Sequence, residues 1–165
     1  MTSRRDLKTQ QLIMTTIYLE TKIKAPKQIV FDASRNIDIH QKSASSSKEK
    51  AIAGVTSGLI NLSETVTWRG KHFGFYLTHK SRITAMKLHD HFVDEMERGK
   101  FKSFKHQHLF EETNGFTVMK DKLEYETPFG IFGELFDILF LEKHLMNFLL
   151  ERNKTLKEVS EKGLH

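Results

Sequence analysis

The chain has 165 residues, with 26 Lys and Arg against 21 Asp and Glu, so its formal charge is +5 with His neutral. That length suits one domain with a core of its own and room for a cavity. The lack of Cys excludes a disulfide framework, a thiolate nucleophile and a Cys-ligated zinc site, and it fits a reducing, cytoplasmic setting.

The opening Met1-Thr2-Ser3-Arg4-Arg5 carries the charge of a secretion signal. The apolar run behind it, Leu12 to Ile17, is too short and too Thr-rich for a signal core and has no small-residue cleavage site, so no signal peptide is expected. From Leu12 to Lys24 β-branched and aromatic residues dominate, and Ile17, Leu19 and Thr21 alternate with Tyr18, Glu20 and Lys22, which predicts a first strand. Ala25-Pro26 punctuates it, since Pro is well placed at a helix start where its missing N–H costs nothing. Ile29, Val30 and Ala33 then share one face of a short helix, and Asn36 begins a polar exit. A polar, Ser-rich loop over Gln41 to Lys50 leads to a second helix expected from Lys48 to Val55, with Ser47 as its N-cap.

Beyond Gly58 the pattern becomes a meander of five strands: Glu64 to Arg69, Phe73 to Ile83, His91 to Arg98, Lys102 to Glu112 and Phe116 to Tyr125. Pro128-Phe129-Gly130 closes the last of them, and one long helix is expected from Ile131 onward. Leu135, Ile138, Leu145, Leu149, Leu156 and Val159 recur at helical spacing and predict an apolar stripe. Phe132, Phe136, Leu139, Phe140 and Leu141 add more apolar surface than one stripe needs. The run from Pro128 to Leu141 is broken by Glu134 and Asp137, short of the roughly 20 apolar residues of a membrane span, so no membrane insertion is expected. Strand, two helices, five strands and a long helix make an α+β architecture: an antiparallel sheet of about six strands with the helices segregated from it.

Two His-x-His pairs stand out among nine His: His89-Asp90-His91, read as a solvated turn, and His106-Gln107-His108. Residues two apart on a strand point the same way, so His106 and His108 share a face with Phe104 and Phe110, the inward one. The same parity turns Met119, Asp121, Leu123 and Tyr125 inward on the next strand. Two His and a carboxylate in one cavity have the makings of a facial metal site or of a proton relay. The plainer reading is adopted: the three groups satisfy one another's hydrogen bonds and lend polar contacts to an oily pocket, and no metal or cofactor is assigned. Trp68 serves as core filler or as a cavity wall.

Arg69-Gly70-Lys71-His72-Phe73-Gly74-Phe75 superficially matches an RNA-stacking strand, but the inserted Lys71-His72 breaks the aromatic register, and Phe73, Phe75 and Leu77 read as an inward set. The positive charge is scattered rather than gathered on one face, so no nucleic-acid partner is expected. Phosphate-cradling Gly motifs, a Gly-x-Ser-x-Gly elbow and His-Glu-x-x-His are absent from the sequence.

The order of elements with Ala25 to Asp32 resembles the START-like superfamily, also called SRPBCC. Thr56 to Ile60 with Glu64 to Arg69, Gly99 to Phe110, and Asp121 through Pro128-Phe129-Gly130 sharpen the likeness to bacterial SRPBCC proteins of the cyclase/dehydrase-like, cell-division-associated kind. It runs from about Thr15 to Leu156, with small departures at Ser63 and Lys100. The resemblance implies one domain over residues 1–165, with 1–11 an N-terminal extension, and a helix-grip fold whose curved sheet holds the C-terminal helix above an internal cavity. It implies a ligand that is a lipid, polyketide or quinone-like molecule, but no single reaction, since such scaffolds include carriers, hormone sensors, aromatases, Rieske oxygenase domains and co-chaperone activators.

The expected site therefore has Trp68, Phe75, Phe104, Met119, Tyr125, Phe132 and Leu139 as walls, with His106, His108 and Asp121 orienting a small hydrophobic partner. The rivals are a cyclase or dehydratase using His106 or His108 with Asp121, and an interaction module presenting the apolar helix face to a protein.

Overall fold

Period-two alternation along the chain builds one antiparallel sheet in the computed structural model, which describes residues 14–163. The extension expected at 1–11 and the first residues of the strand expected from Leu12 lie outside the described residues. The strands are β1 (Thr15–Ile23), β2 (Lys50–Gly54), β3 (Thr65–His72), β4 (Phe75–Lys87), β5 (His91–Arg98), β6 (Ser103–Thr113) and β7 (Phe116–Glu126). Their order is β1-β7-β6-β5-β4-β3-β2, so the first strand closes against the last. Register shifts in the β4–β5 pair, between Lys80 and Ser81 and between Ile83 and Ala85, mark bulges that bend the sheet.

The helices cover one side. After β1 come α1 (Lys27–Ser34) and α2 (Ile37–Ser43); after β7 come α3 (Ile131–Phe136), a π turn over Asp137–Leu141, and α4 (Glu142–Glu161). Leu149, Leu156 and Val159 bury the inner face of α4, which packs on α1, α2 and β1. One apolar cluster joins Phe31, Trp68, Phe92, Phe110, Met119 and Leu156; a second joins Ile17, Leu123, Tyr125, Leu141 and Leu149.

Three expectations are corrected. Asn36 does not open a loop but caps α2, its side-chain oxygen accepting from the N–H groups of Asp38 and Ile39 at 2.9 and 3.2 Å. The helix expected over Lys48 to Val55 is the edge strand β2: Ser47 closes a 3₁₀ turn, Lys48 adopts a left-handed conformation, and Ala51 and Ala53 pair with Trp68 and Thr67. Helical spacing of Ile52 and Val55 yields there to the free edge of β3, because the ladder offers partners to the backbone groups on that side of the segment. That raises the sheet to seven strands. The long helix does run from Ile131, but a π turn over Asp137–Leu141 interrupts it, and Leu135 and Ile138 are exposed rather than part of a buried stripe.

Candidate functional site

Between the sheet and α4 lies a cavity of about 210 Å³. Trp68, Ile83, Phe92, Phe104 and Leu123 face it from the strands, and Leu145, Phe148 and Leu149 from α4. Two clusters of titratable side chains interrupt these apolar walls.

The first is made by sheet register. Asp94 on β5 stands directly across from His106 on β6, and His108 stands across from Asp121 on β7. Strand alternation turns all four to one side, where their bonds run diagonally. His106 Nε2 donates to Asp121 Oδ1 at 2.9 Å, and His108 Nε2 lies 3.2 Å from Asp94 Oδ2. Nδ1 of His108 lies 2.9 Å from Asp121 Oδ1 and 3.4 Å from Arg152 Nη2. From α4, Asn153 Nδ2 donates to Asp121 Oδ2 at 2.7 Å and Arg152 Nη1 to Oδ1 at 3.3 Å. The two imidazoles are 3.8 Å apart between centroids, and Phe92 stacks on His108 at 4.2 Å.

Burial alone would raise Asp121, but the hydrogen bonds from both imidazoles and the Arg152 charge hold it well below the usual carboxylate range. Burial, helped by the neighbouring His108, pushes His106 down to about 4, so its ring is neutral at pH 7. Asp94, which burial would raise, is held down chiefly by its bond to His108.

The second cluster gathers residues far apart in the chain. Glu49, just before β2, bonds His40 Nε2 at 2.7 Å and lies 3.7 Å from His72 Nε2. His72 Nδ1 in turn meets His144 Nε2 of α4 at 3.0 Å. His40 stacks on Trp68 at 4.1 Å. Burial works to raise Glu49, yet the bonds from His40 and His72 outweigh it and leave the carboxyl at about 2. Burial lowers His79 and His144, which also face the cavity.

Of the residues expected at the site, Trp68, Phe104, His106 and His108 line the cavity. Met119, Asp121 and Tyr125 are buried outside its lining: Met119 sits in the core near Ser34, Asp121 lies behind the imidazoles, and the Tyr125 hydroxyl donates to Asp137 of the π turn at 2.6 Å. Burial and that carboxylate push the Tyr125 hydroxyl upward.

Phe75, Phe132 and Leu139 are not walls; they are 72%, 83% and 56% exposed. Phe75 begins β4 at the hairpin tip, where no helix covers it. The segment from Ile131 to Phe140 is held inward chiefly by Gly133 and Asp137, so its remaining apolar side chains face outward with Phe129.

Sequence reasoning passed over Asp94, Glu49, His40, His72, His144, Arg152 and Asn153. A signal existed for Arg152 and Asn153: they fall at the third and fourth positions between Leu149 and Leu156, hence on the buried face of α4. Nothing local marks the others.

A bent antiparallel sheet gripping a C-terminal helix over a cavity is the helix-grip architecture, and the chain has the START-like, or SRPBCC, fold. Its similarity to solved structures carries that statement. The aromatase/cyclase Zhui from a Streptomyces species is 11% identical, with a TM-score of 0.72 over 93% of this chain and 97% of that one. The protein TTHA0849 of Thermus thermophilus is 16% identical, also at 0.72, over 92% of this chain and all of that one. The major latex-like protein 151 of Panax ginseng is 14% identical, at 0.66, over 89% and 97%. No protein-family model matches the sequence, and no curated protein matches it. No helix among the described residues is long and apolar enough to cross a membrane.

Proposed function

We propose that the protein binds a compact hydrophobic molecule in the cavity beneath α4, of polyketide- or quinone-like size, with its oxygen atoms against His106 and His108. The observation that carries this reading is a hollow of about 210 Å³ with largely apolar walls and two clusters of His and carboxylate side chains at it. Pockets for drug-sized molecules span roughly 300–1,000 Å³, so this one favours a fused-ring or short-chain compound over a two-chain lipid. The sheet–helix enclosure shared with an aromatase/cyclase supports the same class of ligand.

Trp68 is the only Trp in the chain and faces the cavity, so its emission reports occupancy. Titration with naphthols, quinones, aromatic polyketides and fatty acids, alongside native mass spectrometry of the protein as purified, tests the proposal. A saturable change in Trp68 emission with Kd below about 100 μM for a ring compound, weakened by Phe104→Ala, is expected. Flat titrations throughout the panel would defeat the proposal.

A second reading, acid–base catalysis on such a ligand, is favoured by the contact of His106 with Asp121 at the cavity. In it a neutral imidazole takes a proton next to a ligand carbonyl and returns it to a leaving hydroxyl, as cyclisation and dehydration require. Turnover of a poly-β-keto substrate that survives unchanged in His106→Gln removes His106 from that role.

A further inference from the structure

We propose that Asp94, His106 and His108 hold a divalent first-row transition-metal ion on the sheet side of the cavity, with Asp121 orienting both imidazoles. The inference stands apart from the organic-ligand reading, because it uses only these side chains.

One potential ligand atom from each of Asp94, His106 and His108 lies within 4.8 Å of the other two. The 3.2 Å between His108 Nε2 and Asp94 Oδ2 is what two ligands about 2.1 Å from one ion subtend at about 100°. All three residues face the cavity, so positions on the ion beyond these ligands open into it. Two imidazoles and one carboxylate suit zinc or ferrous iron, whereas calcium and magnesium seek all-oxygen sites.

The proton on His108 is the one an ion would replace. Its two ring nitrogens face two carboxylate oxygens, Nδ1 on Asp121 at 2.9 Å and Nε2 on Asp94 at 3.2 Å. An ionised carboxylate only accepts, and a neutral imidazole has one N–H. Arg152 Nη2, 3.4 Å from Nδ1, can only donate, so without an ion Nδ1 accepts and Nε2 carries the proton toward Asp94. A cation would displace that proton and take the Nε2 lone pair and the Asp94 oxygen as ligands, which ties binding to proton release.

Asp121 fills the outer position that metal-bound histidines require: a carboxylate on the ring nitrogen away from the ion, fixing tautomer and ring angle. It serves both rings from one side chain and is itself held by Asn153 and Arg152. Charge agrees. Asp121 has Arg152 as its counter-charge, whereas among the described residues Asp94 has no Lys or Arg partner and pairs only with His108.

The test uses untagged full-length protein, stripped with chelator and titrated with Zn²⁺ by calorimetry and with Co²⁺ by visible absorption. About one Zn²⁺ per chain is expected, with a Co²⁺ spectrum of low coordination number. Asp94→Asn, on a partly exposed side chain whose change leaves the core intact, and His106→Ala should each weaken Zn²⁺ binding by 100-fold or more; Asp121→Asn should weaken it about 10–100-fold. His72→Ala, in the second cluster, should leave it unchanged. Less than about 0.1 ion per chain at saturating Zn²⁺ and Co²⁺, or binding lost in His72→Ala and retained in Asp94→Asn, overturns the assignment.

Discussion

Asp121→Asn changes one oxygen to an amino group at a site where three donors converge. Oδ1 receives His106 Nε2 and Arg152 Nη1, and Oδ2 receives Asn153 Nδ2. Whichever way the new amide turns, its NH₂ must face one of those donors, and the Arg152 guanidinium is left buried without its counter-charge. Breaking a buried ion pair by removing one partner costs about 3–5 kcal/mol, because the remaining charge stays desolvated. For a domain of this size that is a fall in Tm of roughly 6–20 °C. Urea denaturation followed by circular dichroism at pH 7.5, with chelator present to exclude metal, measures it. Adding Arg152→Met removes the stranded charge, so the double variant should lose less than the sum of the singles, with a coupling of about 1–3 kcal/mol. A single-variant loss under about 1 kcal/mol together with additive behaviour would refute the view that Asp121 is the hub of a buried charged network.

Acid should destabilise the protein in two windows. Between pH 6.5 and about 4 the unfolded chain binds a proton at His106 that the folded chain does not, so stability falls with acid by about 3 kcal/mol in total, and His106→Gln should flatten that limb of a urea-midpoint profile. Glu49, depressed from 4.5 to about 2, contributes stability that is present above pH 4.5 and lost as the pH falls through about 2; Glu49→Gln should remove that second limb. Gly133→Ala puts a Cβ against the Pro128 carbonyl oxygen, and about 1–3 kcal/mol of lost stability is expected by denaturation. Leu156→Ala, in the fully buried face of α4, should cost about 2–5 kcal/mol and leave a void in the larger apolar cluster.

Where local pattern and tertiary contact agree, the residues were readable in advance. Phe104, His106, His108 and Phe110 alternate inward along β6, as Met119, Asp121, Leu123 and Tyr125 do along β7, with the stretches between them turned outward or half-buried. A strand admits only two directions, so parity is legible as soon as one apolar face is. Phe75 shows the limit of the same argument: it has the parity of Leu77 but begins β4 at a hairpin tip, where its side chain is exposed.

The chain's own pattern determined the α+β class, the inward faces of β6 and β7, and the buried stripe from Leu149 to Val159. Only the tertiary structure decided that Lys50–Gly54 is an edge strand, that Phe132 and Leu139 face outward, and that Asp94 stands opposite His106. It also brought Glu49 to His40 and His72, and His72 to His144, from elements up to 72 positions apart. The physical reason is the range of the forces involved: periodicity records which side of an element is apolar, whereas partners across a sheet or beneath a helix are set by register and docking, which no single segment encodes.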